Sequence, residues 1–106
     1  MTTVYPGSSY SARVIVTNTS TRRGLPVAAT LTLTVSGIVG STPLSFFPSW
    51  ADVYLGPGES YTLDFLFTVP YEPEGATGEI WVFLWDPTGA YLAHSSESLI
   101  VEYLSI

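Results

Sequence analysis

Lysine and cysteine are both missing from this 106-residue sequence, and Arg13, Arg22 and Arg23 are its only fixed cations. Binding to nucleic acid calls for a clustered basic footprint, so a chain of net charge -6 is read as having no nucleic-acid partner. Without cysteine there is neither a disulfide framework nor a thiolate metal site. One histidine, His94, cannot supply the usual ligand set of zinc, and the reading assigns no metal and no cofactor. Charge of either sign is scarce too: 11% of residues against roughly 25% in ordinary soluble domains. Long apolar runs are lacking. The longest, residues 80–85, falls far short of the roughly 20 residues of a membrane-spanning helix. Residues 1–6 show no basic segment leading into an apolar one, the mark of an export signal, so the chain is expected either to be made without such a signal or to have lost it.

What takes the place of charge is threonine, serine, glycine and proline, and their arrangement is that of strands and turns. Four runs alternate with period two. In the first, Tyr10, Ala12, Val14 and Val16 oppose Ser11, Arg13, Ile15 and Thr17; in the second, Ala29, Leu31, Leu33 and Val35 oppose Thr30, Thr32, Thr34 and Ser36. The third sets Tyr61, Leu63, Phe65, Phe67 and Val69 against Thr62, Asp64, Leu66 and Thr68, and the fourth sets Ile80, Val82 and Leu84 against Trp81, Phe83 and Trp85. Shorter strands are expected at Val4-Tyr5, at 52–55, at Tyr91-Leu92 and at 98–104. Asp86-Pro87-Thr88-Gly89 reads as a type I turn with glycine free to take positive φ. No stretch has a helical period, and eight prolines keep any helix short. The expectation is one domain over residues 1–106, all-β, an immunoglobulin-like sandwich of two antiparallel sheets with about seven strands. An internal echo accompanies it: Pro6-Gly7-Ser8-Ser9-Tyr10 returns as Pro57-Gly58-Glu59-Ser60-Tyr61, 51 residues on, with Thr17 and Thr68 at the same offset.

Pro6-Gly7, Val14-Ile15-Val16-Thr17-Asn18-Thr19, Leu55-Gly56-Pro57-Gly58-Glu59-Ser60-Tyr61, Phe67-Thr68-Val69-Pro70 and Gly78-Glu79-Ile80 together resemble the CARDB-type and related bacterial and archaeal immunoglobulin-like domains. The resemblance runs from about Pro6 to Val101. It implies a non-catalytic β-sandwich used for adhesion, spacing or assembly in surface-exposed or multidomain proteins. The chain departs from that pattern by its few charges and many aromatics.

Nothing in the sequence assembles a catalytic set. Nucleophilic catalysis needs a base oriented by a third group, and His94, the one base available, lies in Ala93-His94-Ser95-Ser96 with no partner singled out by spacing. Glu72, Glu74 and Glu79 match no calcium loop, and no spacing selects a pair among Asp64, Glu79 and Asp86 for glycoside hydrolysis. The reading is therefore of a protein that is not an enzyme. Asn18-Thr19-Ser20 formally fits a glycosylation acceptor.

The pattern breaks at the fourth run. A strand whose outer face meets water should be polar opposite Ile80, Val82 and Leu84, yet Trp81, Phe83 and Trp85 stand there. Two explanations remain open: the chain's own segment of Leu44, Phe46, Phe47 and Trp50 folds over them, or a partner does. The candidate contact residues are accordingly Trp81, Phe83, Trp85, Phe46, Phe47 and Trp50. The apolar terminal stretch 99–106 is expected to be either the last strand of its own sheet or a strand donated to a neighbour's edge. The expected role is that of a structural subunit meeting protein partners by self-assembly or within a larger surface assembly, such as a virion decoration protein or surface filament. Its expected place is the virion or the extracellular surface. The alternative is an extracellular glycan-binding or adhesion module that uses the same rings as a sugar platform.

Overall fold

Residues that alternate threonine with leucine or valine lose little by becoming strands, since branched and aromatic side chains suit a pleated, half-buried surface. The computed structural model, which describes residues 1–18, 21–22, 25–26 and 29–103, builds strands on each such run. In chain order they are β1 (Thr2–Val4), β2 (Ser9–Thr17), β3 (Thr21–Arg22), β4 (Leu25–Pro26), β5 (Ala29–Val39), β6 (Thr42–Pro43), β7 (Phe46–Phe47), β8 (Trp50–Leu55), β9 (Ser60–Thr68), β10 (Thr77–Trp85) and β11 (Tyr91–Val101). No helix occurs among the described residues. Thr19, Ser20, Arg23 and residues 104–106, which carry parts of the acceptor motif, the arginine pair and the apolar terminus, lie outside them.

Two sheets face each other. The larger has six strands, ordered β1-β11-β10-β5-β6 with β8 also paired to β5, and the smaller is β2-β9-β7; β3 and β4 pair only with each other. Pairing is antiparallel throughout, except that β1 lies parallel to β11, Thr2 to Val4 opposite Leu99 to Val101. Inward positions of both sheets make one core. Leu31, Leu33, Val35, Val53, Leu55, Ile80, Val82, Leu99 and Val101 come from the large sheet, and Ala12, Val16, Phe65 and Phe67 from the small one. This is an immunoglobulin-like β-sandwich.

The strand β11 corrects the sequence reading, which divides it into Tyr91-Leu92 and a later strand from residue 98. It is one strand of eleven residues. The polar stretch His94-Ser95-Ser96-Glu97 conceals it, because eight successive residues are exposed and no apolar alternation marks them. Its Leu99 to Val101 end is the last strand of the chain's own sheet.

The internal echo is a local two-fold relation. Strands β2 and β9 pair from Ser9 opposite Thr68 to Thr17 opposite Ser60, so each Pro-Gly turn meets the tail of the other strand. Gly7 N–H donates to Val69 O at 2.9 Å and Gly58 N–H to Asn18 O at 2.7 Å; Val69 N–H donates to Ser8 O at 3.0 Å and Asn18 N–H to Glu59 O at 2.9 Å. Both glycines hold positive φ, +79° and +72°, a conformation that costs other residues about 1–2 kcal/mol. Arg13 lies directly opposite Asp64 at the centre of the relation, and its Nε donates to Asp64 Oδ1 at 3.0 Å.

Candidate functional site

The register of the large sheet decides which side chains share its outer face. Because Leu33, Val35, Ile80 and Val82 point into the core, the alternate positions point away. Across the sheet, Trp50 stands opposite Thr34, Thr34 opposite Phe83, and Phe83 opposite His94. The next row runs Asp52, Thr32, Trp85 and Tyr91, and on the other side Ser36, Trp81 and Ser96 line up. Tyr54 adds a further ring opposite Thr30.

A bulge completes the face. Leu84 pairs with Ala93 but Trp85 pairs with Tyr91, so Leu92 is the extra residue. Such an insertion re-aims the side chains beyond it, and it sets Tyr91 on the side of Trp85 and His94. Asp86 starts the turn that brings β11 back: its Oδ1 accepts from Thr88 N–H at 2.9 Å and from Ala90 N–H at 2.8 Å. Gly89 there has φ +85°, as the turn requires. The Thr88 hydroxyl and then the backbone amides hold the Asp86 carboxyl below the ordinary aspartate range.

The rings make contact with one another. Phe83 and Trp85 lie 5.9 Å apart at 30°, Phe83 and His94 6.0 Å apart at 31°, and Tyr91 stands edge-on to Trp85 at 6.3 Å. The Tyr91 hydroxyl is hydrogen-bonded to His94 Nδ1. Trp85 Nε1 donates to Thr34 Oγ1 at 2.9 Å, and Thr32 Oγ1 to Asp52 Oδ1 at 2.7 Å. Trp50, Tyr54 and Tyr91 are 58%, 70% and 52% exposed, while Trp81, Phe83 and Trp85 are half-buried by their neighbours in the sheet.

The six residues singled out from sequence therefore divide. Trp81, Phe83, Trp85 and Trp50 share one face. Phe46 turns inward, its ring 5.2 Å from that of the core residue Phe67, and Leu44 also packs against the core. Phe47 pairs with Leu66 and belongs to the outer face of the small sheet. Of the two explanations left open, cover by Leu44, Phe46, Phe47 and Trp50 is not the arrangement found: strand β7 joins the other sheet, and Trp50 extends the aromatic face as part of β8. Sequence reasoning missed Tyr54, Tyr91 and His94. Trp50, Asp52 and Tyr54 do alternate against Ala51, Val53 and Leu55, so Tyr54 was readable. Tyr91 depends on the bulge and His94 on the register of a polar strand, neither of which leaves a pattern.

Elsewhere, Glu72 ties its loop to the turn after β5, accepting from Thr42 Oγ1 at 2.5 Å and Ser41 N–H at 3.3 Å. Asn18 of the formal acceptor motif is buried, and its Nδ2 donates to Leu55 O at 3.0 Å, which withholds that nitrogen from modification in the folded chain.

No family model and no curated protein matches the sequence. Among solved structures, WR4, an MSP family member of C. elegans, is similar, with a TM-score of 0.51 at 13% identity over 95% of this chain and 91% of that one. At this identity the likeness is one of fold.

Proposed function

We propose that the chain is a non-catalytic immunoglobulin-like module of CARDB type that associates with copies of itself, as a subunit of a surface assembly such as a virion or filament. The outer face of the large sheet is the contact surface. One observation carries the reading: Trp50, Tyr54, Trp81, Phe83, Trp85 and Tyr91 occupy a single sheet face where a solvated sheet would carry polar side chains. Tryptophan and tyrosine dominate the energetic centres of protein interfaces, and large rings gathered on one exposed face support an interaction site there. The low charge of the chain suits a surface largely met by neighbours.

A second reading rests on what lies between the rings. Thr30, Thr32, Ser36, Asp52 and His94 give the same face hydroxyl, carboxylate and imidazole groups, and a sugar ring stacks on aromatics while bonding to such groups. The double variant Trp50→Ala/Trp81→Ala distinguishes the two. Self-association that vanishes in the variant, seen by size-exclusion chromatography with light scattering, supports the first. A wild type that stays monomeric at high concentration, with glycan retention lost in the variant, favours the second and overturns the first.

A further inference from the structure

One side of the sandwich is open. Strand β1 covers β11 only at Leu99 to Val101, and among the described residues no strand lies along that edge from Tyr91 to Ser98. Backbone polar groups alternate between the two sides of a strand. Val101 N–H points toward the β10 side, donating to Ala76 O, while Glu102 N–H points the other way, to Val4 O. By that alternation the N–H and C=O groups of His94 and Ser96 and the N–H of Ser98 face the bare edge, the Ser98 carbonyl being met by Thr2 in the β1 register. Among the described residues, strand β2 is paired on one side alone as well. Between β2 and β11 run two adjoining clefts of about 240 and 300 Å³, the first lined by Val14, Val16, Leu33, Leu84 and Ala93 and the second, farther along, by Glu97 and by Arg13, whose charge is met by Asp64.

We infer that this edge accepts an extended peptide segment of another protein, added parallel to β11 in line with β1. The bare stretch is eight residues, about 26 Å at the rise of a parallel strand. The mode is already present, since β1 makes this addition over its three residues and buries Val4 between the sheets. Continuation along the same line sends every second side chain of the incoming strand toward the apolar cleft, which selects a segment with alternating apolar residues. Glu97 selects its charge. It is an exposed carboxylate on the inward side of an edge strand, where it accepts a hydrogen bond from the Thr2 hydroxyl at the start of β1, and an inward charge of this kind discourages pairing with unsuitable strands. On a chain of net charge -6 it disfavours a second copy and favours a segment bearing lysine or arginine.

The probe is a synthetic octapeptide of alternating valine and threonine with lysine at both ends, titrated into the full chain and followed by amide hydrogen exchange. Slowed exchange by tenfold or more at the His94, Ser96 and Ser98 amides, with the amides of Trp50, Tyr54, Trp81 and Phe83 unaffected, is the expected result. Ser96→Pro removes one edge donor without touching the β10 ladder and is expected to weaken binding at least tenfold, while Ser96→Ala binds like the wild type. Glu97→Lys, which keeps the edge backbone intact, is expected to shift preference to a peptide ending in glutamate. Unchanged exchange at these amides at millimolar peptide, or equal binding by Ser96→Pro in a folded variant, overturns the proposal. So does protection that appears only on self-association without peptide.

Discussion

Two aspartates do different work at the residue scale, and acid separates it. Asp86 closes the β10–β11 turn, and its carboxyl is held low first by the Thr88 hydroxyl and then by the Ala90 amide. Asp64 is held low first by its hydrogen bond from Arg13. A folded-state value below the unfolded one means that the unfolded chain takes up protons first. The stability that these carboxylates contribute is therefore complete above the ordinary aspartate value near pH 4 and is lost as pH falls toward the lower folded values. Thermal melts between pH 2 and 7 are expected to show this loss in the wild type and a shallower acid limb in Asp64→Asn/Asp86→Asn; an unchanged limb contradicts the assignment. The core answers to a different test. Phe65 is wholly buried where the two sheets meet, so Phe65→Ala is expected to cost about 3–5 kcal/mol in denaturant unfolding, whereas the exposed Trp50→Ala is expected to stay within about 0.5 kcal/mol.

At the scale of elements, the β2–β9 pair yields the sharpest consequence. Because Arg13 and Asp64 are both opposite one another and equivalent under the local two-fold relation, exchanging them recreates the pair in the same surroundings. Arg13→Asp or Asp64→Arg alone sets like charges opposite each other, which destabilises a strand pair. Single variants are expected to melt lower than the wild type, and the double swap Arg13→Asp/Asp64→Arg to recover most of the loss. The same elements show what sequence can carry. All four alternating runs became strands with the expected faces, since a period-two pattern leaves one way to bury Leu31, Leu33, Phe65 and Phe67 together. The Pro-Gly echo and the Asp86 turn were readable because glycine at positive φ leaves its own mark. The middle of β11, from His94 to Glu97, was not, because this exposed polar stretch is strand by virtue of pairing with β10, and the pairing partner is nowhere in its own composition. The candidate face was partly legible for the same reason: Trp81, Phe83 and Trp85 break a pattern on one strand and Trp50 was singled out with them, but Tyr91 and His94 reach them only through register and a bulge.

The whole molecule is long and thin for its size, with extents of 60 × 24 × 19 Å. Its accessible surface is 6723 Å² at 11.5 kDa, where a compact monomer of that mass exposes about 5,800 Å². The excess follows from that elongation, which spreads the two sheets into broad faces. The sandwich is open along one edge and aromatic on one face, and the two contacts proposed for it make separable predictions, one about rings and the other about backbone amides. The most direct measurement is light scattering across a concentration series for the wild type and Trp50→Ala/Trp81→Ala, with circular dichroism confirming that both are folded. Concentration-dependent association of the wild type that disappears in the variant is the expected result. A wild type that remains monomeric throughout, or a folded variant that associates as well as the wild type, contradicts it.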